Sequence, residues 1–532
     1  MPKLAWGRRG SVPFVKIMED NADDPLTVPN TDTGKFLWNS ENQKVGYIRD
    51  IFAQEADFAT YSPSGGTGLS PNLYFIPSGS NKNTCQIMIK SWQNAGHNFQ
   101  RWLYFQEFFT AQYGIAFFPL VETRAALDYT TTKYRGPWVD LFTGSTTSKG
   151  QVYSYIGSTS RAMIEIDSGF GGPAARNRPC ITTPSLTNNS GEADPIKRVL
   201  VTVFDLPMRD DAIPDNSAVP VSGQEVVRID KQSSGIARVA LPGRTVTDPN
   251  PNHFILHENR IPAKVMATGQ VTVGAFATVN ITTRMPMTDV TYLDFISKKT
   301  SEATFWHPPY IDSISAHGND FTYTMSGTTL TIVSNCDVSM DIIYVVYADT
   351  GDAHTTGGKK IFLKGNDGIG DFIQIKRPGS SDLAPNLNDI MVDTRLTYLP
   401  ILAEGFLNWS ADFPNVMAGG DRFKGVRMGN ITVANPDGLL LFPKVGAVYN
   451  LPIASDYNEP SAIWGEHAVF VNDASWAGQT TGYSIWANIL SPTSIDIYAS
   501  NGNPYTIVGS AATYDASLKG VRYYVLGLPP SH

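Results

Sequence analysis

Apolar and polar residues alternate with a period of two along most of the chain. The runs at 198–207 (RVLVTVFDLP), 270–285 (QVTVGAFATVNITTRM), 321–334 (FTYTMSGTTLTIVS), 340–349 (MDIIYVVYAD) and 520–529 (GVRYYVLGLP) are rich in β-branched and aromatic residues. Gly, Asn, Asp and Pro separate them, which is the signature of strands joined by turns. The clearest hairpin is predicted around Met325, Ser326 and Gly327. Helical periodicity is scarce. Its one candidate is 87–111, whose second half suits a short amphipathic helix or, through WLYFQEFF, a strand. The expected fold class is all-β: tandem β-sandwich or barrel-like modules with long polar loops, internally duplicated.

The duplication is read from landmarks in matching order. Gly114 to Val121 (GIAFFPLV) matches Gly438 to Val445 (GLLLFPKV). The same number of residues then separates Gly114 from Arg198 and Gly438 from Arg522, and both closing strands end in Leu-Pro, at Pro207 and Pro529. MIEID (163–167) corresponds to SIDIY (494–498), and 14–40 corresponds in position and character to 372–395. The middle segment closes with a similar strand, DIIYVVYAD (341–349), which suggests a diverged third copy. In that reading NHFILHENRIPAKV (252–265) stands where the Gly-Pro strand stands in the other two. Three units are expected: 1–207 with an insertion near 50–100, 208–370, and 371–532. The insertion is placed at the Gly- and Ser-rich stretch 62–72.

At 532 residues the chain has room for about three or four domains and needs no disulfide or metal for stability. Charged residues make up only 17%, replaced by Ser, Thr, Asn, Gly and Pro. That excludes a coiled coil, and an aromatic content of 11% argues against disorder. A net charge of −8 argues against a duplex nucleic-acid binder. The start has no apolar run of signal-peptide length, and the longest apolar stretches fall far short of the roughly 20 residues that span a bilayer. Synthesis in the cytoplasm is therefore expected, with no membrane span.

The chemistry inventory is sparse. There is no nucleophile elbow, Walker loop, HExxH or dinucleotide fingerprint. Cys85, Cys180 and Cys336 lack metal spacing and read as buried thiols. His253 and His257 have i, i+4 spacing, but Glu258 follows them instead of lying between them, so they read as ordinary sheet histidines. Glu19, Asp20, Asp23 and Asp24, and likewise Asn366, Asp367 and Asp371, could offer oxygens to calcium. Neither set has EF-hand spacing, and both read as solvated loop carboxylates. No catalytic, cofactor-binding or metal residue is assigned, no cofactor is expected, and the chain is read as a non-enzyme. Aromatics beside Ser, Asn and Gly (WNSEN, NWSADF, SWAGQTTGYSIW) could stack on sugars or anchor protein contacts. Depleted charge is also what the centre of a protein–protein interface looks like.

The segment IKRPGSSDLAPNLNDIMVDTRLTYLPILAEG (375–405) resembles a segment of the minor tail and tail-tip structural proteins of tailed bacteriophages. Ile375, Pro378, Gly379, Asp393, Thr394, Arg395 and Gly405 carry the match, and the terminal strand GVRYYVLGLP is similar to the last strand of those modules. The likeness spans 371–530. In the first segment Glu19 and Asp20 stand where Pro378 and Gly379 stand, and Asp-Thr-Arg reads Asn39-Ser40-Glu41; the middle segment shows almost none of it. The resemblance implies a virion structural protein that meets copies of itself and other virion chains in symmetric contacts. Host receptor or glycan binding is expected from variable loops, above all near 62–82. A carbohydrate-binding or depolymerase protein, and a capsid-decorating or head-associated protein, are the alternative readings.

Overall fold

The structure is a computed structural model. It describes most of 3–55, 225–307, 321–416, 426–450, 485–500 and 517–532. Elsewhere it describes the strands at 69–75, 85–90, 102–108, 115–124, 133–135, 152–154, 162–165, 180–182, 198–207, 462–464 and 470–471. The molecule is nearly all β, built from antiparallel sheets, and has no α-helix among the described residues. No helix there is long and apolar enough to cross a membrane. The run left between helix and strand is the strand Trp102–Phe108, held by pairing with Cys85–Lys90 on one side and Cys180–Thr182 on the other. Leu69 to Asn72, placed above in a Gly- and Ser-rich insertion, open the strand Leu69–Phe75.

One three-stranded unit occurs three times. Its first instance is Leu4–Arg9, Val12–Met18 and Phe36–Asn39. The second is Val227–Asp230, Ile236–Ala240 and Phe254–His257. The third is Phe362–Asn366, Asp371–Lys376 and Ile390–Asp393. All three have a break in register at the same place. Lys16 faces Asn39 and Ile17 faces Trp38, but Met18 faces Phe36. Arg238, Val239 and Ala240 face His257, Leu256 and Phe254 in the same way, and Gln374, Ile375 and Lys376 face Asp393, Val392 and Ile390. The extra residue of each bulge lies in the third strand, at Leu37, Ile255 and Met391, while the middle strand keeps its register with the first and carries the pairing one residue further. Met18 N–H donates to Lys3 O, Ala240 N–H to Val226 O and Lys376 N–H to Ile361 O, at 2.9, 2.9 and 2.8 Å.

Apolar side chains of the three units merge into one core. Val15 and Ile17 come from the first, Ala237, Val239 and Leu256 from the second, and Ile375, Met391 and Val392 from the third. A lone three-stranded sheet could bury only one thin face, so each unit depends on the other two for its apolar interior.

Beyond each unit the chain forms a larger sheet with the closing strand in the middle. Arg198–Pro207 lies between Tyr47–Glu55 and Ile115–Arg124. Met340–Tyr347 lies between Lys264–Val273 and Tyr292–Lys299. Ser517–Leu528 lies between Ile401–Asn408 and Leu440–Asn450. The middle segment thus fills the Gly-Pro strand position with Tyr292–Lys299, which corrects the placement of 252–265. Those residues instead form the third strand of the small unit and the chain leading away from it.

The segments are interlaced. After Ile115–Arg124 the strand Lys133–Arg135 pairs with Phe321–Tyr323 of the second segment. After Tyr292–Lys299 the strand Phe305–His307 pairs with Ala487–Ile489 of the third. After Leu440–Asn450 the residues Ala462 and Ile463 pair with Phe108 and Glu107 of the first. Each segment hands a strand to the next and the third returns one to the first, so the handovers close a cycle. The hairpin predicted near Ser326 is present: Ser326 faces Thr329 across a two-residue turn whose Gly327 has φ 55°, a left-handed conformation that glycine supplies without steric cost.

Candidate assembly interface

Each small unit ends in a polar step, and an apolar pocket lies between the units. The step carries the same backbone geometry on three different sets of side chains. In the first unit Val15 N–H donates to Ser40 Oγ at 2.8 Å and Glu41 N–H to Asn39 Oδ1 at 3.0 Å. In the second, Ala237 N–H donates to Glu258 Oε2 at 3.2 Å and Asn259 N–H to His257 Nδ1 at 3.0 Å. In the third, Ile373 N–H donates to Thr394 Oγ1 at 2.9 Å and Arg395 N–H to Asp393 Oδ1 at 2.9 Å. Each step presents one acceptor to the middle strand and a second to its own backbone, as capping side chains do.

The charges around the steps differ. Lys16, fully buried, lies 2.5 Å from Glu41 Oε2 and 2.5 Å from Asn30 Oδ1. At its place in the second unit Arg238 grips Glu258 through Nε and Nη2, at 2.8 and 2.6 Å to Oε1. Burial pushes the Glu258 carboxyl upward, but the hydrogen bonds from Arg238 and from backbone N–H groups, together with the neighbouring His257, hold the group below its ordinary value. In the third unit the cation has moved to Arg395, which clasps Asp393 while Gln374 donates to Asp393 Oδ2 at 2.6 Å.

The pocket lies between the three units. Trp6 and Phe14 line it from the first, Ile229 and Leu256 from the second, and Phe362 and Ile375 from the third. Trp6 and Phe362 stack with ring centroids 4.9 Å apart. Trp6 pairs with Val15 and Ile229 pairs with Ala237, so the two hold equivalent places. Trp6 is 51% exposed and Ile229 41% exposed. Lys364 holds the same place in the third unit, pairing with Ile373, and lies 3.5 Å from Asp371. Two large apolar side chains left in water at matching positions, beside an apolar pocket, form a surface suited to a protein contact.

The acidic loops considered above spend their oxygens internally. Asp20 and Asp24 accept from the backbone at Ala22 and Leu26, and Asp23 pairs with Lys35. Asn366 accepts from Gly368 N–H, Asp371 from Asn366, and Asp367 from Arg284 of the second segment at 3.0 Å. No group of three His, Cys, Asp or Glu among the described residues is arranged to hold a metal. His257 sits in a strand, its ring edge-on to Phe254 at 4.7 Å. Cys85 and Cys180 lie on strands. His253, Glu19 and Cys336 lie outside the described residues. No family model, curated protein or solved structure matches the chain.

Proposed function

We propose that the chain is a structural component of a bacteriophage virion, part of the tail or tail tip, meeting other virion chains and copies of itself. The observation that carries the proposal is the pair Trp6 and Ile229, exposed at equivalent positions over a core shared by three units. Single exposed apolar residues are ordinary, but two at matching positions beside an apolar pocket make the kind of surface that a subunit would bury on assembly. The interlaced strands favour the same reading, since they tie the three segments to one another, as a part that transmits force requires. The resemblance at 375–405 supplies the virion context. Loops on this rigid body would meet the host surface, with the region near 62–82 the first candidate. Quantitative mass spectrometry of purified particles tests the proposal. A few copies per particle are expected; copy numbers near that of the shell protein would move the chain to the capsid-decorating class, and absence from particles would end the virion reading.

A further inference from the structure

Lys16, Asn30 and Glu41 form a set that the assembly reading does not use. The Lys16 side chain is fully buried, and its Nζ touches both Asn30 Oδ1 and Glu41 Oε2 at 2.5 Å. The Asn30 amide nitrogen donates to the same Glu41 oxygen at 3.2 Å. The rings of Phe14 and Phe36 flank the ammonium, with centroids 5.7 and 5.5 Å from Nζ. An amine nucleophile thus rests against an amide carbonyl, with one carboxylate in reach of both nitrogens, inside a wall of aromatic rings. These are the groups that general acid–base catalysis of acyl transfer needs, held within hydrogen-bond reach of one another.

We propose that the protein joins Lys16 to Asn30 by an intramolecular isopeptide bond. Glu41 takes a proton from the Lys16 ammonium, and the freed amine attacks Cγ of Asn30. The Nζ–Cγ bond forms and the Cγ–Nδ2 bond breaks. Two protons leave the lysine nitrogen in turn, and Glu41 carries both to the departing nitrogen, which leaves as ammonium. Glu41 ends as the carboxylate it began as, and nothing is oxidised or reduced. The product ties the loop that follows Met18 to the middle strand of the first unit by a bond that unfolding cannot break.

The other two units do not offer the groups for such a bond. Arg238 and Gln374 hold the place of Lys16, and neither is an amine nucleophile. Lys376 is also fully buried, but its Nζ donates to Ser380 O and Oγ and lies 3.1 Å from the carboxylate of Asp382, whose oxygens accept the N–H groups of Lys359 and Lys360. An ionised carboxylate held this way is a poor acyl donor.

The test is the intact mass of the folded full chain, followed by trypsin digestion after denaturation. The chain is expected to be lighter than its sequence by one ammonia. Trypsin is expected not to cut after Lys16, so that 10–16 and 17–35 emerge as one piece carrying the loss. Asn30→Ala and Glu41→Gln should each restore the full mass and the cut. A folded wild-type chain of full mass that is cut after Lys16 would overturn the proposal. So would an ammonia loss that maps elsewhere, such as Asn501-Gly502, or a cross-link that persists in Glu41→Gln.

Discussion

Ser40 and Thr394 do the same work in two parts of the chain. Each hydroxyl accepts the N–H of the middle strand, from Val15 at 2.8 Å and from Ile373 at 2.9 Å, while its own N–H returns a bond to that residue's carbonyl. The paired bonds lock the end of one strand onto the next. Thr394→Val keeps the shape and removes the acceptor, leaving the Ile373 N–H unsatisfied. A loss of about 1–2 kcal/mol is expected, read as a lower urea midpoint, with Thr394→Ser close to wild type.

Asp294 of the second segment and Lys444 of the third meet 2.7 Å apart, both almost fully buried. They sit where the Tyr292–Lys299 and Leu440–Asn450 sheets pack, beside Tyr292, Phe442 and Tyr524. Lys444→Met should cost about 3–5 kcal/mol, because it strands a buried carboxylate. Adding Asp294→Asn should recover most of that loss. The asparagine leaves no charge behind and keeps an acceptor for the Phe295 N–H, which now donates to Asp294 Oδ1 at 2.9 Å. Thermal melts of the two variants check this.

Asp382 accepts the N–H groups of Lys359 and Lys360 and faces Lys376, and these contacts hold its carboxyl down from 3.8 to about 2. A depressed carboxyl contributes stability above its unfolded value and loses it as pH falls through the folded one. Wild type should therefore lose this increment between pH 3.8 and about 2. Asp382→Asn should be less stable at neutral pH, and its gap from wild type should close across that window. Melting temperatures of both proteins from pH 7 down to 2 test this.

Trp6 lies half in water and stacks on Phe362. Trp6→Ala should cost about 2 kcal/mol of folding stability, for the aromatic pair and for the half of the side chain that is buried. It should reduce incorporation into particles sharply, because a tryptophan at the centre of a contact carries a large share of the binding energy. Complementation of a particle lacking the wild-type chain separates the two effects.

Deleting 62–68 stops short of the strand Leu69–Phe75 and so spares its pairing with Cys85–Lys90. Particles carrying the deletion should assemble normally and fail to adsorb to the host. Adsorption at the wild-type rate would remove this region from any receptor contact.

The all-β class was legible because alternation with period two is dictated by the pleat itself, and 321–334 folds as the hairpin its pattern predicts. The alignment of Asn39-Ser40-Glu41 with Asp393-Thr394-Arg395 was also legible, and the two steps make the same bonds. The step of the middle segment was not. Ser40, Glu258 and Thr394 share only an oxygen that accepts one N–H, and residue similarity does not register that. Without it, Phe254–His257 was matched to the wrong strand. Trp102–Phe108 was ambiguous because bulky apolar residues suit either element, and tertiary pairing decided it. The Lys16, Asn30 and Glu41 set was invisible for another reason: a loop brings Asn30 back to the strand, and no spacing rule anticipates loop paths.

Immunogold electron microscopy of particles, with antibody to this chain, decides whether it belongs to the tail. Label confined to the tail or its distal end is expected. Label over the head, or none on particles while free protein is abundant, would rule the tail placement out.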